Sequence, residues 1–182
     1  MKELSLNILD IAQNSIKAGA AHIDITITED AETMQILVAD DGCGMTEEFV
    51  ANVTDPFTTT RTTRKVGLGI PFLKMQAEMT GGSFAITSRH ESTHPDDHGT
   101  ETMAVFYKNH IDMTPLGDIV STISTLIFCN PDRDFHFTHC GDGKNVGLRT
   151  EELREVLGDV PLDMPEIAEW IKGYLNEQYG VN

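Results

Sequence analysis

Apolar residues follow a helical period at the start of the chain and alternate with polar ones in the next two segments. In residues 4–18 they recur on one helix face, at Leu4, Ile8, Ile11, Ala12 and Ile16. This spacing predicts an amphipathic helix. Residues 22–29 instead carry isoleucine at every second position, which predicts a half-buried strand, and residues 35–39 predict a second strand.

A helix followed by two strands occurs a second time further along. The pattern predicts a short helix, a Thr/Arg-rich loop, a longer helix and two strands, at residues 46–53, 54–66, 67–79, 83–89 and 101–107. Thr46 is a suitable N-cap for the short helix. Helix–strand–strand twice over predicts an α/β fold of two layers, in which one mixed, mostly antiparallel sheet carries its helices on one face.

The remaining residues, 109–182, read as a C-terminal extension of helices and a hairpin. A helix opening at Thr114-Pro115 is predicted from its apolar stripe, and residues 134–138 and 145–149 are expected to pair as a hairpin. Two more helices are expected after Thr150 and Pro165. We therefore divide the chain into residues 1–108 and an extension that packs on them or contacts a partner.

Composition narrows the function classes. The 182 residues carry a formal net charge of −16, which disfavours nucleic acid and anionic lipid as partners. The first residues lack a signal-peptide pattern, no apolar run is long enough to span a bilayer, and the three cysteines include no CxxC pair. These features predict a cytoplasmic protein without a disulfide scaffold.

A polar stripe on the first helix carries candidate chemistry. Asn7, Asp10 and Asn14 lie at i, i+3 and i+7 and are flanked by leucines, so they need partners or a ligand. The amide oxygen of Asn14 suits Mg²⁺, and Asp10 is placed to orient or deprotonate an attacking water or hydroxyl.

Glycine-rich turns supply the other candidates. Asp40, followed by Gly42 and Gly44, comes directly after a strand. Its carboxylate is suited to accept a hydrogen bond from the amine of adenine, while the glycines let the backbone approach the ring. The residues expected around phosphate are Gly67, Leu68 and Gly69 at a helix mouth and the neighbouring Arg61, Arg64 and Lys65.

Other motifs fit less well. The chain has no GxxxxGK[ST] motif, and Gly67-Leu68-Gly69 lacks the third glycine and preceding strand of a dinucleotide fingerprint. A metal site at His90, His94 and His98 is a weaker alternative, because Pro95 favours an irregular loop over the helix that this spacing suits.

The ordered motifs resemble the Bergerat-fold superfamily of gyrase-type topoisomerases, heat-shock chaperones, histidine kinases and MutL proteins. The resembling segments are Asp10-x-x-x-Asn14, Asp40-x-Gly42-x-Gly44, Gly67-x-Gly69 and Gly99-Thr100, with Asp55-Pro56-Phe57 similar to the F box of histidine kinases. The resemblance implies ATP and Mg²⁺ as cofactors. It also implies roles for Lys17 near a phosphate, Met45 against the adenine ring and Thr100 near Asp40.

The resemblance is strongest to histidine-kinase-like ATPase domains and anti-sigma-factor serine kinases. It implies a stand-alone regulator that binds Mg-ATP and hydrolyses it or phosphorylates a protein partner, with a homodimer as one possibility. Asp10 stands where the ATPases and serine kinases usually have Glu, which leaves open a non-catalytic module that senses ATP or ADP. No helix pair with a phosphoacceptor histidine precedes the motifs, so a complete sensor histidine kinase is not expected.

Overall fold

One six-stranded sheet organises the chain. The structure is a computed structural model that describes residues 3–54 and 69–180. Its elements are α1 (Leu4–Lys17), β1 (His22–Glu29), β2 (Thr33–Asp40), α2 (Glu47–Val53), α3 (Gly69–Met79), β3 (Ser83–Arg89), β4 (Gly99–Tyr107), α4 (Ile119–Cys129), β5 (Asp134–Gly141), β6 (Lys144–Arg149), α5 (Thr150–Leu157) and α6 (Pro165–Gln178). The strand order is β3-β4-β2-β1-β5-β6.

The sheet is mixed, as the sequence predicts. All of its neighbouring strands are antiparallel except β1 and β5, which run parallel with His22 opposite Asp134. The predicted hairpin is confirmed, since β5 and β6 pair. It also extends the sheet that contains the predicted strands of the first half, because β5 lies beside β1.

The core lies between the helices and alternate positions of the strands. Every second residue of β1 is buried, at Ile23, Ile25 and Ile27, and the neighbouring β5 buries Phe135 and Phe137. Side chains of α1, α3, α4 and α6 belong to the same buried cluster. Period-two strands packed under amphipathic helices produce the two layers that the sequence pattern indicates.

Helix α4 begins four residues later than the sequence predicts. The segment at Thr114-Pro115 is not helical, because its carbonyl groups serve a different helix: Pro115 and Leu116 accept the first amides of α1, from Leu4 at 3.0 Å and Ser5 at 2.8 Å. Helix α4 starts after Asp118 instead, whose side chain accepts the amide of Ser121. The predicted start was wrong because a tertiary contact competes with local helix propensity.

The other predicted helices and strands lie close to their expected positions. The two predicted C-terminal helices are α5 and α6, and Thr46 caps α2 as expected by accepting the amide of Phe49. Most of the predicted loop at 54–66 lies outside the described residues. Among the helices of residues 3–54 and 69–180, we find none of the length and apolarity that a bilayer crossing requires.

Candidate functional site

A cavity of about 550 Å³ opens where β2 ends and β4 begins. Helix α1 forms one wall, and α2 with the first turn of α3 forms another. Its lining residues are Ile11, Asn14, Ser15, Lys17, Ala18, Asp40, Cys43, Gly44, Met45, Phe49, Val53, Ile70, Thr100 and Thr102. The structure thus brings Asn14, Lys17, Asp40, Gly44, Met45 and Thr100, six of the residues singled out in the sequence, to one cavity.

Asp40 is the ionisable group held most firmly in this cavity. Its Oδ2 accepts a 2.6 Å hydrogen bond from Ser15 Oγ, and its Oδ1 accepts the Gly42 amide at 2.9 Å. Burial raises the pKa of Asp40 and outweighs these two hydrogen bonds, which lower it. A fixed, partly desolvated carboxylate is an acceptor suited to a donor on a bound ligand.

A serine and a threonine hold the loop after Asp40 against the neighbouring strands. The Met45 amide donates to Ser88 Oγ at 2.8 Å, and this hydroxyl lies 2.8 Å from Thr100 Oγ1 and 3.0 Å from the Gly99 carbonyl oxygen. Thr100 is the register partner of Asp40 across β2 and β4. The positions of Met45 and Asp40 are therefore coupled through Thr100.

The glycines after Asp40 are required by close backbone contacts. Gly44 has a φ of +67°, and a Cβ there would lie 1.9 Å from the Arg89 carbonyl oxygen. A Cβ at Gly42 would come within 2.9 Å of Ala18 Cβ. His98 Nδ1 lies 2.6 Å from the Gly42 carbonyl oxygen, which it reaches as a donor and so fixes the same loop from the other side.

Asn14 offers the cavity a polar group without a protein partner. Its Nδ2 is buried and has no hydrogen-bond partner within the part of the chain that the structure describes. A buried amide in this state is costly unless a ligand or water satisfies it. The neighbouring Lys17 is more exposed and is the cation among the described lining residues.

Asp10 lies beside the start of α3 and is not part of the described cavity wall. A Cβ added to Gly69 would lie 2.7 Å from the Asp10 Cβ and 3.3 Å from its Oδ2. Gly69 therefore allows α3 to approach α1 closely at this point. The polar stripe continues at Asn7, whose Nδ2 donates to Gln76 Oε1 of α3.

Several candidates from the sequence fall in the part that the structure does not describe. These are Arg61, Arg64, Lys65, Gly67 and Leu68, together with the Asp55-Pro56-Phe57 segment. The phosphate contacts expected of them stay predictions.

Sequence reasoning missed the hydroxyl and imidazole groups that support the site. Ser15, Ser88 and His98 each hold the Asp40 loop, and only Ser15 had a visible signal, its place beside Asn14 in the first motif. The other two act on residues more than forty positions away. The histidines of the 90–98 loop take separate partners, since His90 pairs with Ser92 and His94 with Thr93, so they form no joint site there.

The chain belongs to the family of histidine kinase-, DNA gyrase B- and HSP90-like ATPases, whose sequence model matches residues 2–110. This match contains every motif that lines the cavity. It confirms the superfamily that the ordered glycine motifs indicate.

Individual relatives are more distant. The chain is 33% identical to sporulation kinase A of Bacillus subtilis (strain 168) over 70 residues, which are 38% of this chain and 11% of the kinase. The chain thus spans a small part of that relative's length. Two solved structures share the fold: the Aquifex aeolicus MutL ATPase domain complexed with ADP (TM-score 0.54, 15% identity, 86% of this chain and 69% of that one) and the N-terminal domain of a DNA repair protein (TM-score 0.57, 12% identity, 82% and 52%).

Proposed function

We propose that the cavity binds Mg-ATP and that the chain acts as a cytoplasmic regulator built on this ATPase domain. The observation that carries the proposal is Asp40, held by Ser15 and Gly42 with its carboxylate in the cavity wall. An amine donor on a purine satisfies this acceptor, whereas a keto group at the same position would repel it. Adenine is therefore favoured over guanine.

The residues present fit a magnesium ion. The Asn14 carboxamide lies in the cavity wall, and its oxygen is a ligand that Mg²⁺ accepts alongside phosphate oxygens and water. Its buried Nδ2, which has no described partner, is a donor suited to a phosphate oxygen of the same ligand. When bound, the ion would neutralise phosphate charge. Lys17 would add a positive charge to the cavity wall, and the apolar Met45 and Ile11 would exclude water from the adenine ring.

Two chemical outcomes follow from ATP bound in this way. In the first, Asp10 orients and deprotonates a water or a protein hydroxyl, which attacks the γ-phosphorus as ADP leaves, so the products are phosphate or a phosphorylated partner. In the second, the chain binds and senses ATP or ADP without turnover. Asp10 lies against Gly69 at the start of α3, and a variant of this residue decides between the two outcomes.

The test separates binding from turnover. Asp40→Asn should weaken Mg-ATP binding by about tenfold or more in calorimetry, because a single side-chain oxygen must then serve the Ser15 hydroxyl, the Gly42 amide and the adenine amine. Asp159→Asn, which changes an exposed carboxylate in the same way, should bind as the wild type does. Equal affinity of all three proteins would contradict the proposed adenine contact.

A second variant decides between the two outcomes. Asp10→Asn should spare ATP affinity and abolish phosphate release if Asp10 is the base. Unchanged turnover in this variant would show that Asp10 is not the base. If the wild type shows no turnover, either alone or with partners recovered by pull-down, the result supports the sensing module. The same assays, run at several protein concentrations, test for a homodimer.

A further inference from the structure

Three potential metal ligands meet on the surface where the starts of β1, β5 and α5 come together. The Nδ1 atom of His22 lies 3.5 Å from Asp134 Oδ2 and 3.6 Å from Glu151 Oε1. All three ligand atoms lie within 4.8 Å of one another. They come from different elements, since His22 begins β1, Asp134 begins β5 and Glu151 lies in the first turn of α5.

The distances suit a shared cation better than direct hydrogen bonds. An N–H···O bond to a carboxylate is usually about 2.7 to 3.2 Å long, shorter than either contact of His22. Zinc bonds of roughly 2.0 to 2.2 Å in a tetrahedral site place neighbouring ligand atoms roughly 3.3 to 3.6 Å apart. The two distances from His22 Nδ1 match this separation between ligand atoms.

The backbone around the cluster is fixed by hydrogen bonds. The Asp41 side chain accepts the amides of Ala21 and His22 at 2.7 and 2.9 Å, and the Asp134 amide donates to the Ala21 carbonyl oxygen at 2.8 Å. Thr150, at the start of α5, accepts the Phe135 amide at 2.9 Å. The backbone of the ligand residues is therefore positioned before a metal binds.

One carboxylate is also oriented for this role. Arg154 donates to Asp134 Oδ1 and, through its other nitrogen, to the carbonyl oxygens of Pro131 and Arg133 at 2.8 and 2.6 Å. This leaves Oδ2 directed at His22. Support of a ligating carboxylate by a second layer of hydrogen bonds is typical of metal sites.

We propose that His22, Asp134 and Glu151 bind a divalent transition-metal ion such as Zn²⁺, with water in the remaining position. An imidazole nitrogen with two carboxylates favours zinc and its neighbours over Mg²⁺ and Ca²⁺, which prefer oxygen alone. The two carboxylates balance the charge of the ion, and the net charge of −16 attracts cations to the surface. The bound ion would join β1 to the β5–β6 hairpin and to α5.

The experiment is a calorimetric titration of the nucleotide-free chain, stripped with a chelator, with Zn²⁺ alone. Wild type should bind one ion that His22→Ala and Glu151→Gln lose or bind at least about tenfold more weakly. His136→Ala is the matched control, because it removes a half-exposed imidazole that pairs with the single carboxylate of Asp24 on the same sheet. This control should bind zinc as the wild type does.

Spectroscopy and stability provide independent readouts. Co²⁺ in place of Zn²⁺ should give the visible absorption of a tetrahedral nitrogen and oxygen site in wild type and not in His22→Ala, which separates this site from the three cysteine thiols. Zinc should raise the melting temperature of wild type and of His136→Ala more than that of either ligand variant.

Three results would overturn the proposal. They are zinc binding that is unchanged in both ligand variants, an equal loss of zinc binding in His136→Ala, and no zinc binding by the wild type. In each case the three side chains form only a surface ion-pair cluster. Because no nucleotide is present, these results are independent of whether the cavity binds ATP.

Discussion

Gly44 shows how a single residue limits the sequence of the site. Its φ of +67° disfavours any side chain, and a Cβ would collide with the Arg89 carbonyl oxygen at 1.9 Å. Gly44→Ala should lower the free energy of unfolding by about 3 kcal/mol or more, the sum of backbone strain and overpacking. Gly158→Ala is the control, since its φ is +60° but nothing lies within 4 Å of its Cβ, and it should cost only about 1 to 2 kcal/mol. Urea unfolding measures the stability of both variants. An equal loss of unfolding free energy in the two variants would show that the contact with Arg89 is unimportant.

At the same scale, the sequence predicted residues whose chemistry is visible locally. Asp40 and its glycines stand together in the chain, so their spacing alone indicated a ligand site. Ser88 gave no signal, and the spacing of His98 suggested only a metal site, because each supports a residue that lies far away in sequence, Met45 and Gly42. Only the pairing of β2, β3 and β4 brings these groups together.

Helix α4 provides a test at the scale of one element. It packs against α1 and α6, and Asp118 caps it by accepting the Ser121 amide at 2.8 Å. This hydrogen bond from the Ser121 backbone lowers the pKa of Asp118 below its ordinary 3.8. Asp118→Ala should therefore cost about 1 kcal/mol of unfolding free energy at pH 7. The difference from wild type should be complete above pH 3.8 and shrink as the pH falls further, because protonation then removes the charged cap from wild type as well.

Chemical denaturation across this pH range measures the effect, with Asp163→Ala as a control that removes another exposed carboxylate. A cost as large for Asp163→Ala would contradict the capping role.

The limits of helix prediction are clearest at the start of α4. Pro115 is a typical first-turn residue, yet the backbone at Pro115 and Leu116 accepts hydrogen bonds from α1. Helix α1 needs them, because its N-cap residue Glu3 makes no side-chain capping hydrogen bond. The strands were easier to predict, and β1 and β3 occupy the predicted residues. The reason is that alternation over seven or eight positions is a strong local signal.

At the scale of the whole molecule, Glu29 links the two ends of the chain. Its Oε1 accepts from His139 Nε2 at 2.8 Å and Lys144 Nζ at 3.0 Å, and its Oε2 lies 2.9 Å from Lys108 Nζ. His139 in turn shares a 2.7 Å hydrogen bond with the Tyr179 hydroxyl at the end of α6. Burial raises the pKa of Glu29, but the hydrogen bonds from Lys108, Lys144 and His139 outweigh it and lower the pKa to about 2.

Glu29→Gln should cost about 3 kcal/mol at pH 7, because it leaves two lysines without their buried counter-charge. A lowered pKa means that the stability from the Glu29 charge is fully present above about pH 4.5 and is lost as the pH falls towards about 2. The difference between wild type and variant should shrink over this range in denaturant titrations. Glu166→Gln, at an exposed position, should show no such difference, and a constant gap at every pH would rule out the ionic contribution of Glu29.

The division into residues 1–108 and 109–182 is a prediction that a truncation can test. The family match ends near residue 110, yet β1 pairs with β5 from His22 to Thr28, and α4 buries Ile119, Ile123, Leu126 and Ile127 in the common core. Removing residues 109–182 would expose the β1 edge together with the apolar core surface that α4 covers, and would also remove the carbonyl groups that cap α1.

We therefore expect the fragment 1–108 to lack a cooperative thermal transition. The 182-residue chain should unfold in one step, with the same transition seen by circular dichroism and by the fluorescence of Trp170 in α6. A matched fragment that ends at Gly158 keeps the whole sheet with α4 and α5 and loses α6, so it should fold with reduced stability. A well-folded 1–108 fragment with the melting temperature of the complete chain would show instead that the first 108 residues form an independent domain. The last segment would then be free to serve a partner without supporting the nucleotide site.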